Sequence, residues 1–295
     1  MPWRFPPSGG SPRNNPNRLA PAGFSLPRRE LPPTGTRGIA SYNDPDKKPP
    51  TKKSMPTRFV REFRERLAVA LDTIDPASGT KLGKCIGAYA FYDYDGEPIY
   101  VGQTTEDFGT RIGRHLRGQR SDTLAYRILD PFEVAEMELY PVEHLRQQPT
   151  RERRFKVDAI EYSVYVSAIQ NSKYKAILNE KIPPVSPLVD LPMSHRFNLI
   201  PDDMREDREH PDVRIARRAE TLARVAAVAH ERGEVSAGLR RVIVIQAVRL
   251  ADLAAARLAY AEGRARPAAD AIDVPELVGN VMAEFGDADG DTDNG

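Results

Sequence analysis

Two phenols, a guanidinium, an imidazole and a carboxylate are spaced along this chain so that they could act on one phosphodiester. Tyr89 closes the tripeptide Gly87-Ala88-Tyr89, and after ten intervening residues Tyr100 opens Tyr100-Val101-Gly102. Arg111 and His115 follow, four apart on a basic stretch, so on a helix they share a face. Phosphodiester hydrolysis requires a deprotonated water, neutralised phosphoryl oxygens and a stabilised leaving oxygen. Arginine can fork onto phosphate oxygens, and histidine can relay a proton or bond a phosphate. A phenol has an ordinary pKa near 10, so about one in a thousand is ionised at pH 7. A tyrosine acting as a base therefore needs help from a cation.

The elements that must position these groups are local. Asp95-Gly96 lies between the apolar runs Ile86–Tyr92 and Pro98–Val101, which predicts a β-hairpin with a two-residue loop. In that register Tyr94 faces Glu97, Tyr92 faces Ile99, Phe91 faces Tyr100 and Tyr89 faces Gly102. Tyr89 and Tyr100 then share a face as diagonal neighbours, roughly 7–8 Å apart. Ala90, Tyr92, Ile99 and Val101 take the other face. The next helix should run to about Arg117 and stop at Gly118, with Phe108, Ile112 and Leu116 buried.

This combination resembles the signature of the GIY-YIG nuclease family, here reading GAY and YVG, with the arginine and histidine on the following helix. The resemblance covers about Lys84 to Pro184. It implies a small α+β core with a three-stranded mixed or antiparallel sheet flanked by helices, to which a C-terminal helical hairpin is appended. It also implies a Mg²⁺-dependent endonuclease acting on DNA, with Mn²⁺ able to substitute. Tyr89 would be the general base, Tyr100 would hold the nucleophile or the phosphate, and Arg111 would clamp the phosphate. His115 would assist, and Glu161 would bind the single divalent metal. Asn179 would be the family's asparagine, with Asn171 the alternative; Glu152 and Glu180 are alternatives to Glu161. Three departures stand out: alanine replaces isoleucine in the first tripeptide, His115 and Glu161 are far apart, and the match at Asn179 is loose.

The rest of the chain frames this core. At 295 residues it has room for one or two domains, and its net charge of +1 excludes nothing by itself. The single cysteine, Cys85, rules out an intrachain disulfide and any multi-cysteine metal cluster. No apolar run reaches the ~20 residues needed to cross a bilayer. A cytoplasmic protein with no membrane association is expected. Residues 1–56 hold 13 of the 26 prolines and read as a flexible basic leader. Phe59, Phe63, Leu67 and Leu71 predict an amphipathic helix over 57–74, ended by Asp75-Pro76. Residues 132–140 alternate as a third strand. Arg151–Asn171 should be helical, with Phe155, Ile160, Val164 and Ala168 inside. The core is placed at 57–188 and a polar linker at 189–211.

Residues 212–265 read as two helices broken at Gly233, Val213–Arg232 and Ser236–Glu262. Their arginines are expected to meet duplex phosphates, a second copy of the chain or another partner. Residues 266–295 read as an acidic tail, largely disordered; its DADGDTD run lacks the twelfth-position glutamate of a calcium loop. A restriction or phage-defence role is the first expectation, with a nicking, repair or homing nuclease second. A DNA-binding assembly subunit that does not cut is the reading from another class.

Overall fold

The computed structural model describes residues 55–116 and 128–283. The leader as far as residue 54, the region around Arg117 and Gly118, and the DADGDTD run lie outside the described residues.

Four antiparallel strands form one sheet: β1 (Gly87–Tyr92), β2 (Pro98–Thr104), β3 (Glu136–Pro141) and β4 (His195–Asn198), in the order β2-β1-β3-β4. Helices α1 (Arg58–Asp72), α2 (Phe108–Leu116) and α3 (Thr150–Asn171) belong to this part. They are followed by α4 (Asp202–Glu209), α5 (Pro211–Arg232), α6 (Ala237–Ala261) and the short α7 (Val274–Val278). The class is α+β, as expected, with four strands rather than three.

The added strand comes from the supposed linker. His195 to Asn198 pair with Leu139 to Glu136, and Arg196 lies over the Tyr92 ring at 3.8 Å. Four residues, three of them polar, carry too little periodicity to announce a strand; β3 supplies the missing partner. The supposed tail is also folded as far as residue 283. Val274 and Val281 are buried, and Tyr165 donates its hydroxyl hydrogen to the Val281 carbonyl at 2.6 Å.

The hairpin forms with a longer loop than predicted. Asp93 N–H donates to the Glu97 carbonyl and Gly96 N–H to the Asp93 carbonyl, both at 3.0 Å. Asp93 Oδ1 accepts from the N–H groups of Asp95 and Glu97 at 2.9 and 3.1 Å. Tyr94, Asp95 and Gly96 thus make a three-residue loop, with Gly96 in the left-handed region at φ 71°. An irregularity then restores the register: Tyr92 pairs with Pro98 while Phe91 pairs with Tyr100, leaving Ile99 as the extra residue. Tyr89 therefore faces Gly102 as expected, whereas the pairings nearer the turn differ.

The helical hairpin packs against this turn. Arg214, Arg218 and Arg249 all donate to Asp93 Oδ2, at 3.3, 2.9 and 2.8 Å. Arg218 also donates to Glu133 at 3.1 Å, and Arg249 lies 4.0 Å from Glu97. All six side chains are buried. Arg217 reaches Asp130 at 2.6 Å and covers the Phe132 ring. These arginines are consumed by the core, which corrects the expectation that they hold duplex phosphates. Close backbone approach ties down α6: a Cβ on Gly238 would lie 1.9 Å from the Glu180 carbonyl oxygen. One other expectation also shifts: Phe155 is exposed instead of inside α3. Cys85 is buried and its thiol is pushed up to about 11, chiefly by burial, so it is no nucleophile at neutral pH.

Candidate active site

Both strands of the hairpin contribute one phenol, and Gly102 makes their meeting possible. A Cβ at residue 102 would lie 2.6 Å from Tyr89 Oη and 3.1 Å from Tyr100 Cε1. The glycine opposite Tyr89 is thus a seat for that ring. The phenol centroids are 6.3 Å apart, and His115 of α2 completes a triangle at 6.0 Å from Tyr89 and 5.6 Å from Tyr100. Phe108, in the first turn of α2, meets the Tyr89 ring edge-on at 6.4 Å. The four-residue spacing of Phe108, Ile112 and Leu116 anchors α2 as predicted, since all three are buried. His115 is carried inward with them.

Tyr89 is fully buried, and its hydroxyl has no aligned hydrogen-bond partner among the described residues. Burial and the nearby Tyr100 push its pKa well above 10, while the adjacent Arg111 guanidinium pulls it down. In the free protein Tyr89 is therefore a neutral hydroxyl. Nε of Arg111 is likewise buried without an aligned partner. The two groups act on each other, and each keeps a buried polar atom with spare hydrogen-bonding capacity, which suits them to meet a phosphate or a water.

Glu161 belongs to this group. It lies on α3, and its charge acts on both Tyr89 and Arg111. Its own carboxyl is pushed up to about 8, first by burial and then by repulsion from Asp158, with Arg111 opposing. Among the described residues no ion pair joins it. Asp158, one turn earlier on the same helix, accepts from Gln103 Nε2 at 3.2 Å. Gln103 is therefore half-buried and engaged rather than solvated. The sequence reading passed over Asp158; the i,i+3 spacing of Asp158 and Glu161 on one helical face was the available signal. Glu152 and Glu180 are drawn elsewhere, to Lys156 and Ser236.

Asn179 does not join the converging groups. Its Oδ1 accepts from Val101 N–H at 3.0 Å and its Nδ2 donates to the Val101 carbonyl at 2.8 Å. Strand β2 is a sheet edge, so the outward backbone groups of Val101 have no strand partner, and the buried Asn179 amide replaces one. It can act on chemistry only by fixing the strand beside Tyr100. Asn171 is exposed and bonds Ser167.

A divalent cation suits this donor set. One carboxyl held protonated by burial and a neighbouring acid would be ionised by a bound cation, and Mg²⁺ keeps most of its waters and needs few protein ligands. Among the described residues no cluster of three or more histidine, cysteine or acidic side chains could cage a metal. A one-carboxylate site is what the geometry offers. No helix among the described residues is long and apolar enough to cross a membrane.

Residues 85–159 match the family model of the GIY-YIG catalytic domain. The match spans the hairpin, α2, β3 and the first half of α3, and ends two residues before Glu161. No curated protein and no solved structure gives a significant match to the chain.

Proposed function

From the chain's place in the GIY-YIG nuclease family, given by the catalytic domain at residues 85–159, and hence from its being an endonuclease that hydrolyses phosphodiester bonds, we propose a Mg²⁺-dependent DNA endonuclease with a restriction or phage-defence role. The observation that carries the reading is the gathering of Tyr89, Tyr100, Arg111, His115 and Glu161 around one partly buried point.

Arg111 binds the scissile phosphate through its fork of donors and keeps the developing charge paired. Tyr89 positions the attacking water through its hydroxyl oxygen; to take a proton from that water it first passes its own hydroxyl proton to the neighbouring His115, a loss assisted by the Arg111 charge and opposed by burial. Tyr100 orients the phosphate or the water from the same strand pair. His115, packed against both rings, donates to a phosphate oxygen or passes the proton outward. Glu161 holds the divalent cation, with Asp158 beside it on the helix. Bound there, the cation would neutralise phosphoryl charge and stabilise the departing oxygen. Asn179 is a positioning residue for β2. One such site cuts one strand, so duplex cleavage requires a second copy or two passes.

The test is cleavage of duplex DNA with Mg²⁺ or Mn²⁺ by wild type and Tyr89→Phe. The variant should stay folded, because phenylalanine keeps the buried ring and its contacts with Phe91, Tyr100 and Phe108. It should lose roughly 10²–10⁴-fold in single-turnover rate, the usual worth of a proton-transfer group. Undiminished cutting by the variant removes Tyr89 from the mechanism.

A further inference from the structure

Beside the catalytic point lies a second opening, a cleft of about 260 Å³ lined by Gln103, Thr105, Thr150, Arg153 and Arg154. Gln103 forms the wall shared with the active site, since its amide is bonded to Asp158. We propose that this cleft binds a phosphodiester flanking the one that is cut. This inference rests on the nuclease reading for its biological meaning, but the chemistry of the cleft is independent of it.

Two guanidiniums and two hydroxyls line the opening and no aromatic ring does, which suits a phosphate rather than a base. Neither arginine is neutralised as the core arginines are. Arg153 uses Nη1 on the Arg146 carbonyl at 2.9 Å, while its Nε is buried without a partner. Among the described residues it has no carboxylate within ion-pair distance. Arg154 has only a loose approach to Asp158 at 3.9 Å, and its side chain is 77% exposed. Thr150 opens the 22-residue helix α3, whose N-terminal end adds favourable potential for an anion.

Spacing separates this phosphate from the one under attack. Arg154, Asp158 and Glu161 fall on one line of α3, at i, i+4 and i+7. Seven residues are about 10 Å of helix. A phosphate at Arg154 is thus farther along the strand than the phosphate under attack at Glu161. Holding it would set the register of the strand across the two tyrosines.

The experiment is binding of a 30-base-pair duplex as a function of salt, in EDTA so that nothing is cut. Wild type, Arg154→Ala, Arg153→Ala and Arg154→Lys are compared. Each alanine variant should flatten the slope of log K against log salt by about 1 and weaken binding at low salt, while the lysine variant should retain the slope. Slopes unchanged in both alanine variants, or wild type that does not bind duplex, overturn the subsite. Cleavage of the same duplex with Mg²⁺ separates the two readings. Protein that cuts with unaltered slopes loses the subsite and keeps the nuclease; protein with the expected slopes that never cuts does the reverse.

Discussion

Asp93 and Glu161 are both acids taken largely out of water, and their surroundings treat them in opposite ways. Asp93 receives three guanidiniums on one oxygen and two backbone N–H groups on the other. Glu161 is pushed up to about 8, first by burial and then by the repulsion of Asp158, with Arg111 opposing. The first acid is compensated from within the chain, by helices more than a hundred residues away. The second is opposed only in part by Arg111, and among the described residues no ion pair joins it. The buried Tyr89 hydroxyl and the half-buried Arg111 guanidinium interact with each other and with Glu161, and neither is matched by a full ion pair among the described residues. A structural charge in this protein is one whose partners are already present, whereas a candidate functional charge is one whose partners have yet to arrive.

Breaking the compensated side should have the largest effect. Asp93→Asn replaces the shared acceptor of Arg214, Arg218 and Arg249 with an amide and leaves buried positive charge in excess. Removing one partner of such a cluster typically costs about 3–5 kcal/mol. Urea denaturation should show that loss, together with a steeper loss of cleavage than the distance from the site suggests, because Asp93 also closes the hairpin that carries both tyrosines. A midpoint close to wild type would mean that the helical hairpin is held by something other than these ion pairs.

Gly102→Ala acts on the uncompensated side through space alone. The new methyl would overlap Tyr89 Oη, and overpacking of this kind costs about 1–3 kcal/mol. The expected outcome is a folded protein, somewhat less stable, whose single-turnover rate falls more than its melting temperature. Equal activity would show that the phenols need not hold their present spacing.

Glu161→Gln should change stability least at acid pH and more as pH rises. The folded carboxyl keeps its proton up to about pH 8, whereas an unfolded glutamate loses it near 4.5. Wild type is therefore stabilised by this group at low pH, and the contribution fades as pH rises from about 4.5 through about 8. Glutamine does not titrate, so the variant should melt higher than wild type at pH 8 to 9 and gain less at pH 5. Wild type should also bind a divalent cation more tightly as pH approaches 8 and the proton is lost, a trend that calorimetry should find absent in the variant. A flat wild-type profile would place the cation elsewhere.

Much of the catalytic hairpin was legible because it is local. Period-two alternation on either side of Asp95-Gly96 set Tyr89 opposite Gly102, and one extra residue in the turn was cancelled by one extra residue at Ile99. Helix α2 was legible in the same way, from Phe108, Ile112 and Leu116. Asn179 was singled out by likeness, but its partner Val101 could not be foreseen, since nothing in a sequence tells which edge of a sheet will lack a neighbour. The arginines of α5 and α6 misled for a related reason. Arginine on a helix ordinarily faces water, and the acids that draw these inward are 121 and 156 residues away.

Sequence by itself determined what neighbouring residues can settle: the two strands, the turn between them, the amphipathic helices and the residue types able to act on a phosphodiester. Tertiary structure decided which charges would be spent and which left over. That division depends on how close groups distant in the chain come and on how much water remains between them. Coulombic attraction and desolvation both change steeply over the few ångströms that only packing fixes.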